Sequence, residues 1–124
     1  MKILVFGNRF EESDSLALQV AKQLEGKFDF EYCESAEGIE KFGKNLTILD
    51  CAKGISRVQW IESLDELKLP PRATTHDFDL AFQLKLLQKV GLIDTVKMLA
   101  VPFDYPLEKA IQEAEALLIR CLKK

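Results

Sequence analysis

The chain has 124 residues, of which 48% are hydrophobic and 30% charged, and its 17 Lys+Arg against 20 Asp+Glu give a formal charge of -3. This length and composition predict one domain, residues 1–124, that buries roughly two-thirds of its unfolded surface, and they exclude collagen-like and disordered chains. A mildly acidic chain without a Lys/Arg block has no cluster of positive charge with which to bind nucleic acid or an anionic membrane.

The cysteines predict neither a disulfide framework nor a zinc knuckle. Cys33, Cys51 and Cys121 are widely spaced, odd in number and form no C-x-x-C motif. The first apolar run ends at Gly7, which is too short for a signal-peptide core, and no later stretch has the length of a membrane span. We therefore expect a reduced, cytoplasmic protein that does not enter a membrane.

The first half of the chain alternates between strand and helix patterns. A continuous apolar run at 3–6 predicts a strand buried on both faces, as in the interior of a parallel sheet. A helix is predicted at 16–24, where apolar residues recur on one stripe after a cluster of N-cap residues. Alternating aromatic residues at 28–32 then predict an edge strand, and 38–42 predicts a single helical turn.

The second half continues this alternation. The run 46–49 predicts another interior strand, and the alternating segment 57–60 predicts an edge strand. The connection between them is too short for a helical crossover, so the second should run antiparallel to the first. A surface loop at 68–75 leads to a helix from near Asp77 to Gly91. An interior strand at 98–101 and a long amphipathic helix after Pro106 complete the chain.

Strands that alternate with helices predict an α/β sandwich with a largely parallel sheet. A right-handed crossover carries the chain from the first strand to the edge at 28–32, and the chain then returns to place the 46–49 strand on the other side of the first. This reversal is a switch point. Ligand sites in open α/β sheets lie at such points, outside the carboxyl ends of the strands.

Two carboxylates and the only histidine are the candidate ligands at this switch point. Asp14 follows the first strand, Asp50 comes directly after the 46–49 strand, and His76 lies in the loop before the next helix. Together they could bind a divalent metal and leave positions open for water or a substrate donor. Imidazole suits nickel and zinc better than magnesium.

Each candidate also has a structural interpretation. Asp14 could cap the first helix, and His76 could be a surface residue within a capping cluster. Asp50 is harder to explain in this way, because an ionised carboxylate beside a sheet needs partners. Cys51 is interpreted as a small core residue, and the chain contains no dinucleotide-binding loop and no P-loop.

The order and spacing of these segments resemble the hydrogenase maturation endopeptidases over nearly the whole chain. The segment 3–8, which ends in Gly7-Asn8, is similar to the family's first strand and Gly-Asn pair. Asp14 occupies the place of the first acidic ligand, and 46–50 matches the strand that delivers the second acid. The segment His76-Asp77-Phe78-Asp79-Leu80 resembles the His-centred segment that opens the next helix.

The resemblance implies a phosphorylase/hydrolase-like three-layer α/β/α sandwich. Its mixed five-stranded sheet would have the order 2-1-3-5-4, with strand 4 antiparallel. Gly38 aligns with a glycine in the family's substrate-side loop. By the same resemblance, Gly7, Asn8 and Glu34 would also lie in loops that face the substrate.

The resemblance also implies a peptidase that removes the C-terminal extension of a nickel-iron hydrogenase large-subunit precursor after nickel insertion. Asp14, Asp50 and His76 would form the catalytic set and would bind the nickel carried by the substrate, or zinc or another divalent ion in isolation. The expected partner is the large-subunit precursor, and the protein is expected to act as a monomer.

The chain departs from the family pattern in the stretch before Gly38. A glycine-rich segment is replaced there by Cys33-Glu34-Ser35-Ala36-Glu37. This replacement motivates an alternative function, a non-catalytic relative that binds the large subunit or a maturation chaperone without cleaving it. An unrelated small hydrolase on the same sandwich is a third alternative.

Overall fold

The computed structural model describes residues 2–6, 15–34, 37–52, 55–62 and 83–122. Within these ranges the chain forms five strands, three helices and one 3-10 turn. In chain order they are β1 (Lys2–Phe6), α1 (Ser15–Leu24), β2 (Asp29–Cys33), the 3-10 turn (Ile39–Phe42), β3 (Asn45–Ala52), β4 (Gln59–Ile61), α2 (described over 83–89), β5 (Thr95–Pro102) and α3 (Leu107–Leu122). No helix within the described ranges is long and apolar enough to cross a membrane.

The predicted elements are present, with small differences at their ends. The interior strands β3 and β5 are longer than their apolar runs, because pairing with each other continues through polar residues at both ends. The predicted end of α2 at Gly91 is confirmed: this glycine has φ 85°, a left-handed conformation that commonly ends helices. The predicted surface loop at 68–75 and the predicted start of α2 near Asp77 lie outside the described residues.

The sheet has the order β2-β1-β3-β5-β4. Strands β2, β1, β3 and β5 are parallel to one another, and β4 is antiparallel to β5. The order confirms the one that the resemblance implied, and the two strands with alternating patterns lie at the edges as predicted. The short connection from β3 leaves no room for a crossover helix, which is why β4 alone reverses direction.

Helices cover both faces of the sheet and define two cores. On the first face, α1 and α3 pack together over β-strand residues such as Leu49 and Leu99; we call this the α1/α3 face. On the second, the buried residues Leu84 of α2 and Ile39 of the 3-10 turn pack with Ile48 and its neighbours; we call this the α2 face. Because side chains alternate along a strand, Asp50 belongs to the α2 face with Ile48.

Gly38, which precedes the 3-10 turn, has φ 75° and ψ 11°. A Cβ added there would meet no atom within 4 Å, so the cost of an alanine is the cost of the left-handed backbone alone. We expect Gly38→Ala to lower the free energy of unfolding by about 1 kcal/mol in urea denaturation. Gly26→Ala is the matched control, because Gly26 has equal space and no positive φ. An equal loss in both variants would contradict this explanation.

Candidate functional site

Asp50 lies at the carboxyl end of β3 and is almost completely buried. Its side chain is 3% exposed, and Thr47 is the one other buried polar residue among those described. Its Oδ1 accepts a hydrogen bond from the backbone N–H of Cys51 at 2.8 Å. Since desolvating a carboxylate is unfavourable unless partners compensate, a buried carboxylate in this position is a candidate for a functional group.

The strand register places Asp50 at the predicted switch point. Leu49 is paired with Val5, so Asp50 lies one residue further along, level with the end of β1. On its other side Asp50 is paired with Ala100 of β5. The order β2-β1-β3 is the reversal that the sequence predicted, and Asp50 lies at the carboxyl ends of these strands.

The helices α1 and α2 pack on opposite faces of the sheet. α1 links the parallel strands β1 and β2, so its first residue, Ser15, lies at the carboxyl end of the sheet. α2 ends near the amino end of β5, where Asp94 donates its backbone N–H to the Lys44 carbonyl, so the end of α2 lies away from the Asp50 end of the sheet. The fold thus begins α1 at the Asp50 end of the sheet and ends α2 at the other end.

Four of the predicted site residues lie outside the described residues: Gly7, Asn8, Asp14 and His76. The described ranges contain no group of three His, Cys, Asp or Glu side chains that could hold a metal ion. Since two of the three proposed ligands are not in those ranges, the Asp14, Asp50 and His76 set stays a prediction, with Asp50 placed by the structure.

The two remaining predicted residues lie beyond β2. Cys33 ends this strand opposite Phe6, and Glu34 follows it on the surface. β2 is two strands from β3, which corresponds to about 10 Å at the usual spacing between strands. Gly38 begins the 3-10 turn, and that turn is anchored by Ile39, which is 1% exposed. Cys33 and Glu34 therefore lie at the same end of the sheet as Asp50.

Neither cysteine near this end has the properties of a nucleophile. Cys51 is 3% exposed within the core of the α1/α3 face, which confirms its interpretation as a core residue and places it on the face opposite to Asp50. Burial raises the pKa of the Cys33 thiol, and the nearby Glu31 carboxylate raises it further. A thiol with a raised pKa stays protonated at neutral pH, whereas nucleophilic cysteines have lowered values.

The structure also contains a groove of about 710 Å³ between β4 and α3 that the sequence did not predict. It is lined by residues 57–60 and by Glu113, Ala116, Leu117 and Arg120. The α3 residues recur at helical spacing on one side of the helix, which was the available signal. Their pairing with the 57–60 segment was not visible in the sequence.

No family model matches the chain, and no curated protein sequence matches it. Its fold does resemble solved structures. The NiFe hydrogenase maturation protease HycI from Thermococcus kodakarensis is 18% identical with a TM-score of 0.62, and the match covers 99% of this chain and 93% of that one.

Two further structures are similar over the same extent. The hydrogenase maturating endopeptidase HybD from E. coli is 16% identical with a TM-score of 0.65, covering 99% of this chain and 93% of that one. An endopeptidase from Escherichia coli is 17% identical with a TM-score of 0.62 and the same coverage. The chain therefore has, over nearly its whole length, the fold of the hydrogenase maturation proteases that its motif order resembles.

Proposed function

We propose that this protein is a cytoplasmic, monomeric peptidase that removes the C-terminal extension of a nickel-iron hydrogenase large-subunit precursor after nickel insertion. The observation that carries the proposal is Asp50, a buried carboxylate at the switch point of a sheet with the topology of the maturation proteases. A fold by itself hosts many functions, so the placement of this carboxylate is the more specific support.

Metal recognition is the first part of the proposed mechanism. Asp14, Asp50 and His76 would share coordination of the nickel that the precursor carries, with substrate thiolates as its other donors. The placement of α1 supports this arrangement, because its first residue, Ser15, lies at the Asp50 end of the sheet and directly follows Asp14 in the sequence. Precursor without nickel would lack the group that these residues bind, so it would not dock productively.

The same donor set predicts weak metal binding in the absence of substrate. Two carboxylates and one imidazole leave the coordination shell of nickel or zinc incomplete, because the thiolates belong to the precursor. The nickel is thus part of the substrate in this proposal, and the protein distinguishes precursor that contains nickel from precursor that does not.

Hydrolysis is the second part. A carboxylate of the set acts as general base and takes a proton from a water molecule, whose oxygen adds to the scissile carbonyl carbon. The proton is then delivered to the leaving amine as the peptide bond breaks. A covalent thioester route is disfavoured, because Cys51 is buried on the other face and the pKa of Cys33 is raised.

The direct test is to incubate the full chain with nickel-loaded precursor and to measure the shortened product by mass spectrometry. We expect multiple turnover with the loaded precursor and no product from metal-free precursor. His76→Ala and Asp14→Ala should each lower the rate by roughly a hundredfold or more, because each removes a proposed ligand.

Two results would contradict the proposal. Cleavage that survives both substitutions would exclude metal recognition by these residues. Stable co-purification with an intact precursor, without turnover at high protein concentration, would identify a binding protein that does not cleave.

A further inference from the structure

A hydrogen bond joins the two walls of the groove between β4 and α3. Glu113 of α3 accepts the backbone N–H of Val58 at 3.1 Å, and both of its carboxylate oxygens accept the Tyr105 hydroxyl at 2.9 Å. Val58 is 5% exposed, so this connection lies against the core. The groove is therefore a built feature of the fold, with a volume of about 710 Å³ in the range of ligand-binding clefts.

The groove carries a positive charge on an acidic protein. Arg57 and Arg120 line it together with one carboxylate, Glu113, whereas the whole chain has a formal charge of -3. Both arginines are exposed. Within the described part of the chain, neither guanidinium forms an ion pair or a hydrogen bond. Guanidinium groups bind carboxylates through paired, charge-assisted hydrogen bonds, so two of them beside one groove favour an acidic ligand.

The remaining lining favours an extended peptide. Trp60, half-buried, and Leu117 supply apolar surface beside the two arginines. The wall at 57–60 leads into β4, which is an edge strand paired within the described sheet with β5 only. Edge strands bind extended segments by adding a further strand, while adjacent pockets select the side chains.

We propose that this groove binds an extended acidic segment of a partner protein, with carboxylate side chains on Arg57 and Arg120 and an apolar side chain against Trp60. The groove lies on the α1/α3 side of the sheet, two strands from β3, whereas Asp50 belongs to the α2 face. Binding there is thus separate from cleavage, and the proposal does not depend on the peptidase function.

Trp60 makes the test direct, because it is the single tryptophan of the chain. The probe is a short, N-acetylated peptide of alternating Glu and Val, titrated into the full chain at low salt. We expect a saturable change in tryptophan emission that weakens as salt is added. A peptide of alternating Lys and Val should produce no saturable change.

Variants of matched charge test the two arginines. The double variant R57Q/R120Q should weaken binding of the Glu/Val peptide by at least about tenfold. R57K/R120K keeps the charge but loses the planar guanidinium groups, each of which can donate two parallel hydrogen bonds to a carboxylate. Its affinity for the peptide should therefore lie between those of the wild type and R57Q/R120Q. K85Q/K89Q removes the same charge from exposed positions on α2, on the other face, and should bind as the wild type does. Circular dichroism verifies that each variant is folded.

Several results would overturn the proposal. They are the absence of a saturable emission change, equal weakening in R57Q/R120Q and K85Q/K89Q, or tighter binding of single-stranded oligothymidylate than of the acidic peptide. An emission change that depends on protein concentration without peptide would assign the groove to a second copy of the chain. Failure of precursor cleavage would have no bearing on these measurements.

Discussion

Asp50→Asn is expected to lower cleavage of the nickel-loaded precursor by roughly a hundredfold or more while the protein stays folded. The amide oxygen of asparagine can still accept the Cys51 N–H that Oδ1 of Asp50 accepts at 2.8 Å. The variant loses the negative charge with which the carboxylate would bind the metal or take a proton from water. Single-turnover cleavage followed by mass spectrometry measures the rate, and circular dichroism measures the fold.

The matched control for this variant is Asp94→Asn. Asp94 is exposed and precedes β5 at the amino end of the sheet, the end opposite to Asp50. The substitution changes the same functional group and the same net charge, so it should leave the cleavage rate unchanged. Wild-type cleavage by the Asp50 variant, or an equal loss in both, would show that Asp50 has no specific part in the reaction.

Leu99→Ala is expected to lower the free energy of unfolding by about 2–5 kcal/mol. Leu99 is fully buried in the middle of β5, paired with Leu49 of β3 on one side and with Trp60 of β4 on the other. Truncation leaves a cavity in the core of the α1/α3 face, and the surrounding strands can collapse into it only in part. For a domain of this size the loss is a large share of the total stability.

Leu86→Ala is the matched control, since it removes the same atoms from a side chain of α2 that is 49% exposed. Its cost should stay within about 1 kcal/mol. Urea unfolding monitored by circular dichroism compares the two variants. Similar losses in both would contradict the placement of Leu99 at the centre of the core.

The fold was largely predictable because its signals are local. The apolar runs at 3–6, 46–49 and 98–101 have no polar alternation, so they predicted strands covered on both faces, and β1, β3 and β5 are the three interior strands. The short connection between β3 and β4 predicted the reversed strand. The order of β5 and β4, which lie beyond β3 in the sheet, was predicted from the resemblance to a known family.

The candidate site was predictable only in part. Asp50 could be identified because it directly follows the apolar run 46–49, and it lies within β3, so its position is set by the register of that strand. Asp14 and His76 lie in segments that the sequence predicts to be connections, and no periodic pattern specifies where a connecting segment places its side chains. Their roles rest on the resemblance and on the experiments proposed above.

By itself the sequence determined which segments are strands and helices, and it predicted the end of the sheet at which the site lies, because hydrophobic periodicity and chain connectivity can be read along the chain. Only the tertiary structure decided that Val58 and Glu113, which are 55 residues apart, join two segments into one groove. It also decided that Cys51 and Asp50, neighbours in sequence, face opposite cores. Contacts between distant segments depend on how helices pack on the sheet, and that packing is a property of the whole fold.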